Sequence, residues 1–149
     1  MKKILTLALA FIAITSCKKD NDPAQASLEV TANNVAGTYK ITAATASVGT
    51  ASQDIFNNNS FFDACDRDDT YTLTAVTSTS GAYNVTDAGV QCSPNNTATG
   101  TYSLNTAAKT ITINGQTGNI TTLTATTLVV SQSNFMNSGF TVTVTYTRQ

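Results

Sequence analysis

The chain has 149 residues, a formal net charge of −1, only 11% charged residues and no histidine or tryptophan. A near-neutral chain without a basic face excludes nucleic-acid binding as the main business, and the absence of histidine removes the commonest acid–base group and metal ligand near neutral pH. Low charge with 41% apolar residues also excludes a disordered chain, so one ordinary packed domain is expected.

Residues 1–16 have the three parts of an export signal: Lys2 and Lys3, an apolar stretch from Ile4 to Ile14, and the small residues Thr15 and Ser16. That stretch is 11 residues long, whereas a helix crossing a bilayer takes roughly 20. The run Ile14-Thr15-Ser16-Cys17 resembles the lipobox of bacterial lipoproteins. The resemblance implies cleavage before Cys17, diacylation of its thiol and anchoring to a membrane, since stable attachment takes at least two chains. The following Lys18-Lys19-Asp20-Asn21-Asp22 is similar to the tag that sends some Gram-negative lipoproteins to the outer face of the outer membrane. A plain solvated tether is the alternative. Removing 1–16 leaves 6 positive against 9 negative side chains. Residues 17–34 lack periodicity and are read as a lipidated flexible tether, with the domain proper at 35–149.

From Val35 onward, short runs alternate an apolar or aromatic residue with threonine, the period of strands with one wet face. The pattern predicts strands near 36–47, 70–78, 81–87, 99–105, 109–114, 118–124, 126–132 and 139–148. Tyr39 with Ile41, Tyr71 with Leu73, Tyr83 with Val85, Tyr102 with Leu104 and Ile111 with Ile113 fall on inward faces, as do Phe140, Val142, Val144 and Tyr146. Between Ile120 and Val130 the phase is ambiguous, which a bulge or a doubly buried strand explains. Connections such as Thr79-Ser80-Gly81 and Asn114-Gly115-Gln116-Thr117 are too short for parallel crossovers. The expected fold is all-β, an eight-stranded antiparallel up-and-down barrel, with a β-sandwich as the alternative.

Cys65 and Cys92 form an even pair in a chain read as exported, and a disulfide is the natural reading. It would close a loop of about 28 residues, worth roughly 3–4 kcal/mol in the chain-entropy model. A redox dithiol lacks the short spacing and flanking cations. The cluster Asp63, Asp66, Asp68 and Asp69 raises the question of calcium but lacks the spacing and glycine of a calcium loop, and no metal or cofactor is expected. No serine sits in a nucleophile setting, and the domain is read as non-catalytic.

The segments Val35-Ala36-Gly37-Thr38-Tyr39, Cys65-Asp66-Arg67-Asp68-Asp69-Thr70-Tyr71-Thr72-Leu73, Thr99-Gly100-Thr101-Tyr102-Ser103-Leu104, Thr126-Thr127-Leu128 and Thr145-Tyr146-Thr147-Arg148 resemble the lipocalin-like domain of bacterial lipoproteins. The resemblance implies a small barrel of lipocalin type. Where true lipocalins carry Gly-x-Trp and a late arginine over the tryptophan, this chain has Gly37-Thr38-Tyr39 and Arg148. Arg148 either covers Tyr39 by a cation–π contact or, in the preferred reading, is a solvated terminal arginine.

Two binding readings follow. In the first, the barrel holds a small apolar ligand, walled by Tyr39, Tyr71, Leu73, Tyr83, Tyr102 and Phe140, with Ala43 and Ala75 leaving space and Phe61 and Phe62 at the mouth. In the second, the barrel is filled and is a structural or interaction module, meeting a surface partner through Ile55-Phe56, Phe61-Phe62 and Phe135-Met136. A lid over the mouth is the third account of those aromatics.

Overall fold

The computed structural model describes residues 25–95, 97–135 and 138–149. The expected export signal, Cys17, the first part of the expected tether and Met136 lie outside them. Among the described residues, nine strands form one antiparallel sheet: β1 (Gly37–Val48), β2 (Ala51–Asp54), β3 (Thr70–Ala75), β4 (Ser80–Thr86), β5 (Ala98–Asn105), β6 (Thr110–Ile113), β7 (Gln116–Leu123), β8 (Thr127–Gln132) and β9 (Thr141–Arg148). The sheet runs in sequence order from β3 to β9, and β1 pairs with both β3 and β9. That pairing closes an eight-stranded barrel and excludes the sandwich. The extra strand, β2, continues the edge of β1 beyond the reach of β3, with Thr45 opposite Asp54 and Val48 opposite Ala51. Its sequence, ASQD, is exposed throughout and carries no period-two signal.

Two bulges set the inward faces. In β1, Ile41 pairs with Tyr146 and Ala43 with Thr145, which leaves Thr42 over. In β7, Ile120 pairs with Val130 and Thr122 with Val129, which leaves Thr121 over. Each surplus threonine donates its hydroxyl to a carbonyl of the facing strand, Thr42 to Thr145 and Thr121 to Val129, both at 3.4 Å. A bulge shifts the alternation by one residue. Ala44 is therefore buried and Ala43 exposed, so Ala43 leaves no space inside the barrel. The β7 bulge resolves the ambiguous phase and turns both Ile120 and Leu123 inward.

The core gathers Tyr39, Leu73, Tyr83, Tyr102, Leu104, Ile111, Ile120, Leu123 and Leu128. Between β4 and β5, Gly81 faces Tyr102 and Tyr83 faces Gly100. A Cβ on Gly81 would lie 2.6 Å from the Tyr102 ring, and one on Gly100 would lie 2.6 Å from the Tyr83 ring. Each tyrosine thus lies flat across the glycine opposite, the arrangement by which aromatics cover glycine in a strand. Tyr102 is spent on this packing.

The segment before β1 is not a tether throughout. The Leu28 N–H donates to the Leu123 carbonyl at 2.8 Å and the Ala32 N–H to the Ser78 carbonyl at 2.9 Å. A single helical turn, α1 (Ala32–Val35), follows, with Thr31 Oγ1 accepting from the Asn34 N–H as its cap. Val30, Ala32 and Val35 join the core. This end of the barrel is closed by a plug that alternation could not reveal, because a one-turn helix shows no period. The buried residues run from Val30 to Leu128 and β9 completes the closure, so residues 25–149 contain the whole packed barrel.

Candidate functional site

The two ends of the barrel differ. At the closed end, Tyr39 Oη donates to the Val35 carbonyl at 2.8 Å. Arg148 donates to Tyr39 Oη at 2.8 Å and to the Asn34 carbonyl at 2.7 Å, with its guanidinium carbon 5.3 Å from the Tyr39 ring centre. The terminal arginine is packed rather than solvated, which corrects the preferred sequence reading. Hydrogen bonds to a charged donor are worth about 1.5–3 kcal/mol, so this cluster locks the last strand to the plug.

Inside, Tyr39, Tyr71, Leu73 and Tyr83, four of the six residues named as ligand walls, line a cavity together with Ile111, Leu128 and Tyr146. Its volume is about 90 Å³, against roughly 300–1,000 Å³ for ordinary ligand sites. The Tyr71 and Tyr146 rings meet edge to face at 5.6 Å and help fill it. Burial pushes the Tyr146 hydroxyl up to about 12 and raises those of Tyr71 and Tyr102 as well, so all three stay neutral. Tyr102 is buried but does not line this cavity.

A second apolar space lies at the mouth, where the β1–β2 hairpin, the loop 55–69 and the loop 133–140 meet. A pocket of about 440 Å³ is walled by Ile55, Phe61, Phe62, Phe135, Phe140 and Val142, with Val144 at its inner side. Val144 lines the mouth pocket while Tyr146, the next inward residue of β9, lines the interior cavity. Phe140 is 45% exposed and precedes β9, so it is a mouth residue and not an inner wall. Phe61 is 60% exposed, whereas Ile55 is buried. Phe56 and Phe62 stack edge to face at 5.9 Å under the loop.

This loop is held by Arg67. Its Nε donates to the Phe56 carbonyl at 2.8 Å, and one terminal nitrogen donates to the Phe62 carbonyl at 3.0 Å and to Asn59 Oδ1. Sequence reading missed this role; the one cation inside the run from Asp63 to Asp69 was its signal. Behind it, the Cys65–Cys92 disulfide ties the loop to the segment 87–97. Asp68 accepts from the Val90 N–H at 2.8 Å and Asp87 from the Cys92 N–H. The Ala88 N–H holds Asp69, whose carboxyl burial nevertheless pushes above its usual range, aided by the nearby Asp87, Asp66 and Asp68. Among the described residues, the set of possible metal ligands that lies close enough together is Cys65, Asp66 and Cys92, and both cysteines are consumed by the disulfide. Within the cluster, Asp66 accepts from the Asp63 N–H, and Asp68 and Asp69 likewise accept from backbone.

A family model described as a lipocalin-like domain matches residues 35–130, from the plug to the middle of β8. No curated protein and no solved structure matches.

Proposed function

The chain belongs to the lipocalin-like domain family, and on that premise we propose that it carries or senses a small apolar molecule, held in the mouth pocket and not in the depth of the barrel. The observation behind this reading is the contrast in volume, about 440 Å³ at the mouth against about 90 Å³ within. The first is the size of a ligand site; the second is smaller than the roughly 150 Å³ cavity that admits benzene. The reading is non-catalytic: the chain has no histidine, and the pocket walls are hydrocarbon apart from Gln53 and Ser138.

We further propose a lipoprotein of the outer membrane, displayed at the cell surface and anchored through Cys17. Gln25 bonds Thr124 and Thr126 at the β7–β8 turn, on the closed end. Eight residues from Cys17 to Gln25 reach roughly 28 Å at most. An anchored molecule would then keep its closed end toward its own membrane and its mouth turned away.

A second reading, an interaction module with a filled barrel, draws on the small interior and on the exposure of Phe61 and Phe140. Native mass spectrometry of the full-length protein, extracted in mild detergent and then with organic solvent, separates the two. A discrete small mass lost on extraction, and absent from a Phe61→Ala/Phe140→Ala variant, is expected; a bare polypeptide would refute carriage. An acylated Cys17 peptide in the same sample would support the anchor.

A further inference from the structure

We infer that the mouth pocket selects apolar molecules carrying no negative charge. This rests on the proposed carrier reading and gives it a ligand class.

The inference comes from where the charges lie. Asp54, Asp63, Asp66, Asp68, Asp69 and Asp87 all belong to the β1–β2 hairpin or to the loops tied by the disulfide, on the mouth side. Of the four cations among the described residues, Lys109 is in the β5–β6 turn and Arg148 packs on Tyr39, both at the closed end. Lys40 pairs with Thr147 on the closed-end half of β1. Only Arg67 is near the mouth, and its donors are turned onto Phe56, Phe62 and Asn59 within the loop. No described residue lining the pocket is a cation.

Acids are the sequence neighbours of the lining. Asp54 stands between Gln53 and Ile55, and Asp63 follows Phe62. The Asp54 carboxylate accepts from the Asn57 amide at 2.7 Å and from the Phe56 N–H at 2.9 Å, bonds that favour its ionised form. A carboxylate or sulfonate entering this site would lose water without gaining a cation or a strong donor from the lining, and would do so on the acidic side of the molecule. Of the polar side chains within the lining, the Ser138 hydroxyl is turned onto the Phe135 carbonyl, and the Gln53 amide suits a hydroxyl, carbonyl or amide. The pocket therefore fits an uncharged apolar molecule with at most a weak polar end, and disfavours free fatty acids.

The test uses two dyes that differ by one group: N-phenyl-1-naphthylamine, which is neutral, and its 8-sulfonate. Each is titrated by fluorescence into residues 25–149, which contain the whole packed barrel. The neutral dye is expected to bind at least about tenfold more tightly, a gap equivalent to one power of ten in Kd. The Asp54→Asn/Asp63→Asn variant is expected to narrow that gap by strengthening sulfonate binding. Phe61→Ala/Phe140→Ala should weaken the neutral dye, which places it at the mouth. Equal or tighter binding of the sulfonate by the unaltered chain would overturn charge selection and leave the carrier reading standing. Binding of neither dye would overturn both.

Discussion

The two ends of this barrel are finished in different ways by segments outside the alternating strands. At the closed end the chain packs a plug into the barrel: Val30, Ala32 and Val35 are buried, and Tyr39 is 1% exposed under the Arg148 guanidinium, although Val76 on the β3–β4 turn stays exposed. At the mouth the chain leaves apolar surface uncovered: Val48, Phe61, Val90 and Phe140 are all exposed there. Regular hydrogen bonds hold the closed end, whereas a disulfide and aspartate caps hold the loops of the mouth. Elements that must meet a ligand are drawn from the less tightly packed part of a fold. On the proposed reading stability and recognition are separated along the barrel axis, and each end can be altered to test that separation.

The largest effect is expected from Tyr39→Ala. It removes a fully buried ring and both of its hydrogen-bonding partnerships, and should cost about 3–5 kcal/mol in urea unfolding. Under native conditions, affinity for the neutral dye should change little; a parallel loss of affinity would break the separation. Next comes the Cys65→Ser/Cys92→Ser pair, expected to cost about 2–4 kcal/mol. Here the loss should be accompanied by faster amide hydrogen exchange at 87–92 and weaker dye binding, because the disulfide secures the mouth loops. Unchanged exchange in that segment would place its role elsewhere.

The smallest effect is expected from Asp69→Asn. The folded carboxyl pKa is raised above its ordinary value of 3.8, chiefly by burial. A raised acid favours the fold below the unfolded pKa, and that contribution is lost as pH rises through the folded pKa. The asparagine keeps an oxygen for the Ala88 N–H and removes the titration. Its Tm should exceed that of the parent at pH 7, with the difference shrinking as pH falls toward 4. A difference that does not depend on pH would show that Asp69 acts through shape alone.

How much of this was legible depends on whether a residue's role is local or set by neighbours. The inward faces were legible because threonine and apolar residues alternate so regularly; the phase break between Ile120 and Val130 left a bulge and a doubly buried strand both open, and the pairing shows the bulge. The corresponding shift in β1 was hidden, since Thr42-Ala43-Ala44 reads equally well in either phase. β2 was invisible because ASQD buries nothing, and its pairing comes from the β1 edge it meets. The plug was hidden for a related reason: Leu28 and Ala32 are fixed by carbonyls at Leu123 and Ser78, distant in sequence. For the site, the period of β9 put Phe140 in line with Val142 and Val144, but the strand starts one residue later and the ring ends at the mouth. Arg148 looked like a frayed end because its partners, Tyr39 and the Asn34 carbonyl, lie more than a hundred residues away.

The central claim is that the ligand sits at the mouth and not within the barrel. The most direct measurement is NMR mapping of isotope-labelled residues 25–149 titrated with N-phenyl-1-naphthylamine. The account predicts shifts concentrated at residues 53–62, Phe135 and 140–144, with contacts from the dye to the Phe61 and Phe140 rings and little change at Leu73, Ile111 and Leu128. Shifts and dye contacts centred on Leu73, Ile111 and Leu128, with Phe61 and Phe140 undisturbed, would contradict it.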